Sequence, residues 1–174
     1  SRIDEDVIGE AYMYLIERFG SDAGKKAGEF YTPAPVRKLV AALAKPKAKD
    51  LICDPTCGSG SLLVDASELV PGGDYRLFGQ EKNGSTLALA KMNMFLHGVV
   101  NADIRKGDTL GDPQHISGGE LMSFDRVIAN PPFSLKKWGK EAADADPYGR
   151  YPYGTPPKDA GDLAYVRYLF VPTK

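Results

Sequence analysis

The chain is poor in the residues that give small proteins an unusual chemistry. Its 174 residues include 2 cysteines, 2 histidines and 1 tryptophan. Cys53 and Cys57 are too few for a disulfide scaffold and suit a reducing compartment, so a cytoplasmic location is expected. His97 and His115 lie far apart in sequence, and a zinc centre would need more ligands; no metal is expected. Charge of neither sign dominates, with 22 Lys and Arg against 23 Asp and Glu. No global basic excess advertises nucleic acid, so any contact with one has to be local or to come through a partner. No apolar run is long enough to cross a membrane and no signal peptide is evident, so neither a membrane nor secretion is expected. What is present, 43% hydrophobic and 26% charged residues, is the composition of an ordinary globular domain able to bury a core.

The apolar residues alternate between helix and strand periods, without internal repeats, and predict an α/β fold. Ile8, Tyr12, Leu15, Ile16 and Phe19 recur at helical spacing before Gly20. Thr32 before Pro33 marks a helix start, with Val36, Leu39, Val40 and Leu43 on one apolar face. Ser85 is the expected cap of a later helix whose Leu87, Met94 and Phe95 pack on the sheet before Gly98 stops it. Four strands are predicted, around Leu51, Leu77, Ile104 and Val127, and a helix over 162–170 follows the fourth.

The fourth strand carries the most specific chemistry. Its apolar run ends in Asn130-Pro131-Pro132-Phe133. The Asn130 side-chain oxygen and the Pro131 carbonyl can each accept one N–H of a planar amine, drawing its delocalised lone pair toward a tetrahedral geometry. Two prolines without N–H groups keep the turn's carbonyls out of any sheet ladder. Phe133 offers a flat face to an extruded base. The same tetrapeptide alone is also an ordinary strand-ending turn, so its surroundings decide.

Upstream, Asp54-Pro55-Thr56-Cys57-Gly58-Ser59-Gly60 joins a strand to a helix. Gly58 and Gly60 permit positive φ and close approach of a ligand to backbone amides, and Asp54 can accept from a ligand ammonium group. Glu81 ends the second strand, where a carboxylate can grip ribose hydroxyls. Asp108 follows the third, placed to receive an adenine amino group of a cofactor, or else serving as a plain turn aspartate. Cys57 lacks the adjacent proline expected of a cytosine-methylating nucleophile.

With Gly28-Glu29-Phe30-Tyr31-Thr32-Pro33 upstream and Met92-Asn93-Met94-Phe95-Leu96-His97-Gly98 between them, these motifs resemble the modification subunit of type I restriction-modification systems. Those subunits are S-adenosylmethionine-dependent DNA adenine-N6 methyltransferases. The resemblance implies a Rossmann-like methyltransferase sheet with flanking helices, incomplete here at the C-terminus because the family's sheet has seven strands. It divides the chain into a helical segment, 1–27, and a catalytic domain, 28–174. It implies a cofactor site of Glu29, Phe30, Tyr31, Thr32, Asp54, Thr56, Gly58, Ser59, Gly60, Glu81 and Asp108, and a catalytic clamp of Asn130, Pro131, Pro132 and Phe133. The implied cofactor is S-adenosyl-L-methionine; the implied partners are double-stranded DNA, a specificity subunit and a restriction subunit. A protein glutamine N5-methyltransferase also presents an amide NH₂ to such a tip, and a non-catalytic cofactor-binding fragment is a further alternative.

Between Ser134 and Gly161 the chain is rich in Pro, Gly, Tyr and Lys. Lys136, Lys137, Trp138, Lys140, Arg150, Tyr151, Tyr153 and Lys158 interleave cations with aromatics, as a surface for phosphates and unstacked bases would, or as a solvated loop would.

Overall fold

The computed structural model describes the backbone of residues 5–22 and 31–170 and the side chains of 7–18 and 31–170. Runs of apolar residues flanked by turn formers become short parallel strands: β1 (Leu51–Asp54), β2 (Arg76–Glu81), β3 (Ala102–Lys106) and β6 (Arg126–Val127). They lie in the order β3-β2-β1-β6, all parallel. The four predicted strands and the α/β class are therefore observed. Helices α1 (Glu5–Asp22), α2 (Ala34–Ala44), α3 (Ser61–Glu68), α4 (Gly84–Leu96), α5 (Lys140–Ala143) and α6 (Gly161–Phe170) accompany them.

Alternate strand residues serve opposite faces. Ile52, Leu77 and Ile104 meet Leu62 and Leu63 of α3, Ala41 of α2, and Ala90 and Met94 of α4. Cys53 and Phe78 face the other way, against Phe124, with the His115 ring perpendicular to that of Phe78. Burying a leucine such as Leu63 or Leu77 contributes roughly 1.5–3 kcal/mol. Gly79 is needed for this fit: a Cβ there would lie 2.7 Å from Ile104 Cδ1 and 3.1 Å from Cys57 Sγ.

Three helices keep only part of the expected face: Ile16 of α1, Val40 of α2 and Leu87 and Met94 of α4 are buried or packed on the core as expected. In α1 the buried stripe is Gly9, Met13 and Ile16, while Ile8 and Leu15 are exposed; the Phe19 side chain lies outside the described residues. Gly9 brings the helix against α4, since a Cβ there would meet the His97 ring at 2.5 Å. In α2, Val36, Leu39 and Leu43 are exposed, and the inward residues are Arg37 and Ala41. Small Ala41 lets α2 approach α3, and Arg37 is held inside by Asp65 at 2.7 Å. In α4, Phe95 points outward beside buried Met94. Its cap is Asn83 rather than Ser85: the Asn83 Oδ1 accepts from the Ser85 and Thr86 amides at 2.9 and 3.2 Å. Gly98 does end that helix, at φ 64°.

A hairpin went unpredicted. β4 (Ile116–Ser117) and β5 (Glu120–Leu121) pair antiparallel across Gly118 and Gly119, both at positive φ. The Gly-Gly pair was the available signal.

The 134–160 region is only partly a solvated loop. Trp138 and Ala143 join Leu110, Ala164, Tyr165 and Tyr168 in a second apolar cluster. Arg150 is buried, paired with Asp146 at 2.7 Å and donating to the Thr109 and Leu110 carbonyls at 3.1 and 2.9 Å. Lys140 pairs with Asp144, and Lys158 with Glu141. Of the apparent phosphate-binding pattern, Trp138 and Arg150 are buried and Lys140 and Tyr151 half-buried, leaving Lys136, Lys137, Tyr153 and Lys158 exposed.

Candidate functional site

The chain builds β1, β2 and β3 outward in one direction and then returns to place β6 on the other side of β1. Such a reversal leaves a crevice at the carboxyl ends of β1 and β6. Asp54 ends β1, and Asn130 lies beyond the end of β6.

Both residues line one small cavity, with Tyr31, Thr32, Thr56, Gly58, Ser59 and Ser61. Asp54 is 2% exposed. Its Oδ1 accepts from the Thr56 amide at 2.9 Å. Burial, only partly offset by the Thr56 donors and reinforced by the charge of Glu81, pushes its carboxyl up to about 7. The loop closes with Gly58 and Gly60 at φ 54° and 76°, and α3 begins immediately after. A Cβ on Gly60 would also meet Met94 Cε at 2.7 Å.

Thr56 also lines a larger cavity of about 490 Å³, shared with Glu81, Asp108, Trp138 and Pro132. The Glu81 carboxylate accepts from the Gly58 amide at 3.1 Å and the Asn83 amide at 2.7 Å. Burial nevertheless leaves its pKa raised. Asp108 accepts from the Leu110 amide at 3.2 Å and pairs with Lys82 at 2.5 Å. Two desolvated carboxylates, Asp54 and Glu81, give this cleft an electrostatic preference for a cation.

The clamp tetrapeptide is tied at both ends. The Asn130 amide nitrogen donates to Thr32 Oγ1 at 3.1 Å. Past Phe133, Ser134 turns at φ 60° and its N–H donates to Asp162 Oδ1, in the first turn of α6, at 2.7 Å. Asn130, Pro131 and Pro132 are half-buried, whereas Phe133 is 69% exposed. Of the expected site residues, Glu29 and Phe30 lie outside the described residues. Tyr31, Thr32, Asp54, Thr56, Gly58, Ser59 and Asn130 gather at the small cavity, with Gly60 ending their loop, and Glu81, Asp108 and Pro132 at the larger one. Sequence reasoning missed Pro55, Leu135 and Tyr165 in the larger cavity's walls. Pro55 follows Asp54 directly in the loop after β1, whereas the places of Leu135 and Tyr165 depend on how the chain beyond β6 folds back, which no local pattern signals. Among the described residues no cluster of three or more His, Cys, Asp or Glu side chains suits a metal.

The N-6 DNA methylase profile matches residues 3–174. The chain belongs to the N-6 DNA methylase family. Over 97% of its length it is 37% identical to the type I restriction enzyme MjaVII methylase subunit of Methanocaldococcus jannaschii, of which it covers 30%. The type I restriction-modification system methyltransferase subunit of Streptococcus thermophilus superposes with a TM-score of 0.84 at 39% identity, over 95% of this chain and 36% of that one. A chain from a structure concerned with complex assembly and conformational transition of the type I R-M system gives a TM-score of 0.75 at 28% identity, over 99% of this chain and 36% of that one. The chain therefore spans 30% to 36% of the length of these family relatives. The resemblance read from the motifs stands on these matches.

Proposed function

We propose that this chain is the catalytic core of a DNA adenine-N6 methyltransferase, acting as the modification subunit of a type I restriction-modification system in the cytoplasm. One observation carries the reading: Asn130, with its amide anchored, lines the same cavity as Asp54 at the carboxyl end of β1. An amine clamp and a cation-preferring cleft therefore adjoin. S-adenosyl-L-methionine, when bound, supplies an electrophilic methyl group on a sulfonium. The donor set fits it: Asp54 suits its ammonium group, the Gly58–Gly60 turn and the start of α3 its carboxylate, Glu81 its ribose and Asp108 its adenine. Tyr31 and Thr32, with Glu29 and Phe30, are assigned to the same cofactor side.

At the clamp, the Asn130 oxygen and the Pro131 carbonyl hold the two N–H bonds of the target amine and aim its lone pair. Phe133, already exposed, stacks on the extruded adenine. Alignment of the amine with the methyl donor supplies much of the acceleration. Residues 28–174 form the catalytic unit in this reading, and 1–27 its helical approach. Recognition of a DNA sequence falls to a specificity subunit, and cleavage to a restriction subunit; relatives named as type I methylase subunits support both assignments.

The test uses the full-length subunit with its specificity partner, labelled cofactor and unmethylated duplex DNA. Label should enter adenine in the wild type, and Asn130→Ala should lose transfer while keeping cofactor affinity. An active Asn130→Ala enzyme sinks the reading. Label in a protein glutamine instead of DNA moves the substrate, and cofactor binding without any transfer favours a scaffold.

A further inference from the structure

Thr32 sits beside the cofactor cavity, yet its observed bond goes to the clamp. The Asn130 Nδ2 donates to Thr32 Oγ1 at 3.1 Å, joining segments 98 residues apart. From this geometry we infer that Thr32 is a positioning residue for methyl transfer, holding the Asn130 amide with its oxygen toward the target amine. The inference rests on the methyltransferase reading above.

An asparagine amide has chemically opposite ends, and the terminal torsion that exchanges them is soft. With the nitrogen committed to Thr32, the oxygen is turned away from it and accepts an N–H. After a half-turn, an NH₂ would confront the NH₂ of the substrate, donor against donor, and the clamp would be off. A threonine oxygen meets this duty when its own proton is donated elsewhere, because a free hydroxyl could also donate to the amide oxygen of the flipped form.

The anchor itself is held firmly. Thr32 precedes Pro33, whose carbonyl accepts from the Val36 and Arg37 amides at 2.9 and 3.1 Å, opening α2. The Arg37 guanidinium is fixed by buried Asp65 on α3. The start of α2, and Thr32 with it, is thereby pinned to the same helix that follows the glycine loop.

The experiment compares Thr32→Val, Thr32→Ser and Thr32→Ala in the full-length subunit with its specificity partner. Cofactor affinity is measured by calorimetry without DNA, and kcat and KM for DNA are measured separately. Removing the oxygen by Thr32→Val should lower kcat about 100-fold, the scale of a misaligned reacting group and well beyond any change in the cofactor Kd, with the DNA KM changing less than about threefold. Thr32→Ser, which keeps the oxygen, should restore most of the rate. Thr32→Ala replaces the valine variant if that one does not fold, as judged by its cofactor binding. A wild-type kcat without the oxygen, a serine variant as slow as valine, or a loss confined to cofactor affinity overturns the inference. Asn130→Ala measured alongside separates the two failures. Activity in that variant defeats the site reading itself, whereas an inactive Asn130→Ala with an unaffected Thr32→Val defeats only the role of Thr32.

Discussion

The side-chain amide of Asn93, in the interior of α4, donates to the Ser59 carbonyl at 3.0 Å and to the Met13 sulfur at 3.2 Å. One wholly buried residue thus ties the glycine loop to both α4 and α1.

Replacing Asn93 by leucine strands the Ser59 carbonyl in a dry interior. Unfolding free energy should fall by about 1–3 kcal/mol, the cost of a buried polar group losing its partner. Cofactor affinity should fall with it, because the loop loses its tether. Denaturant unfolding and calorimetry measure both, and unchanged stability would show that the contact is incidental.

The carboxyl of Asp54 sets a pH dependence. Its folded value is raised from 3.8 to about 7, with burial as the first cause. Between those values the folded state holds a proton that the unfolded chain has released, so this group's contribution to stability declines as pH rises from 4 to 7. A cationic ligand reverses the preference, since it needs the ionised carboxylate. Affinity for S-adenosyl-L-methionine should drop about tenfold between pH 8 and pH 6, with proton release on binding below pH 7. Calorimetry in buffers of different ionisation enthalpy detects the proton, and Asp54→Asn should flatten the profile.

Arg150 is expected to matter for stability rather than for phosphate. Its partner Asp146 is pushed up by burial, but the bonds and charge of Arg150 outweigh this and leave the carboxyl below its ordinary value. That stabilisation is present above the unfolded pKa and is lost as pH falls through the folded one. Arg150→Ala strands a buried carboxylate and two carbonyls, and should cost about 3–5 kcal/mol. Chemical denaturation checks the loss. A fully stable variant that binds DNA with a shallower salt dependence would instead return Arg150 to the phosphate surface.

Where local sequence dictates local geometry, the chain was readable. Apolar runs ending in Asp54 and Glu81 predict those strands to their last residue, and the run before Asn130 predicts β6, whose ladder already stops at Val127; a strand's face is set within a few positions. Helix faces were less legible. Val36, Leu39 and Leu43 look like a core stripe by period, but the inward face of α2 was chosen by a pairing with Asp65, 28 residues away. Arg150 follows the same rule in part: its partner Asp146 is close in sequence, but its two carbonyl acceptors lie about 40 residues upstream. The contact between Thr32 and Asn130 had no local signal at all, although both residues were singled out separately.

Thr56 lines both cavities, so the two meet at one residue. A small-molecule inhibitor built into the 490 Å³ compartment alone would lie against Glu81 and Pro132 and leave Asn130, in the smaller cavity, uncovered. Such a compound competes with cofactor but not with DNA. Only one that passes Thr56 would compete with both, so the kinetic pattern of inhibition reports how far along the cleft a ligand reaches.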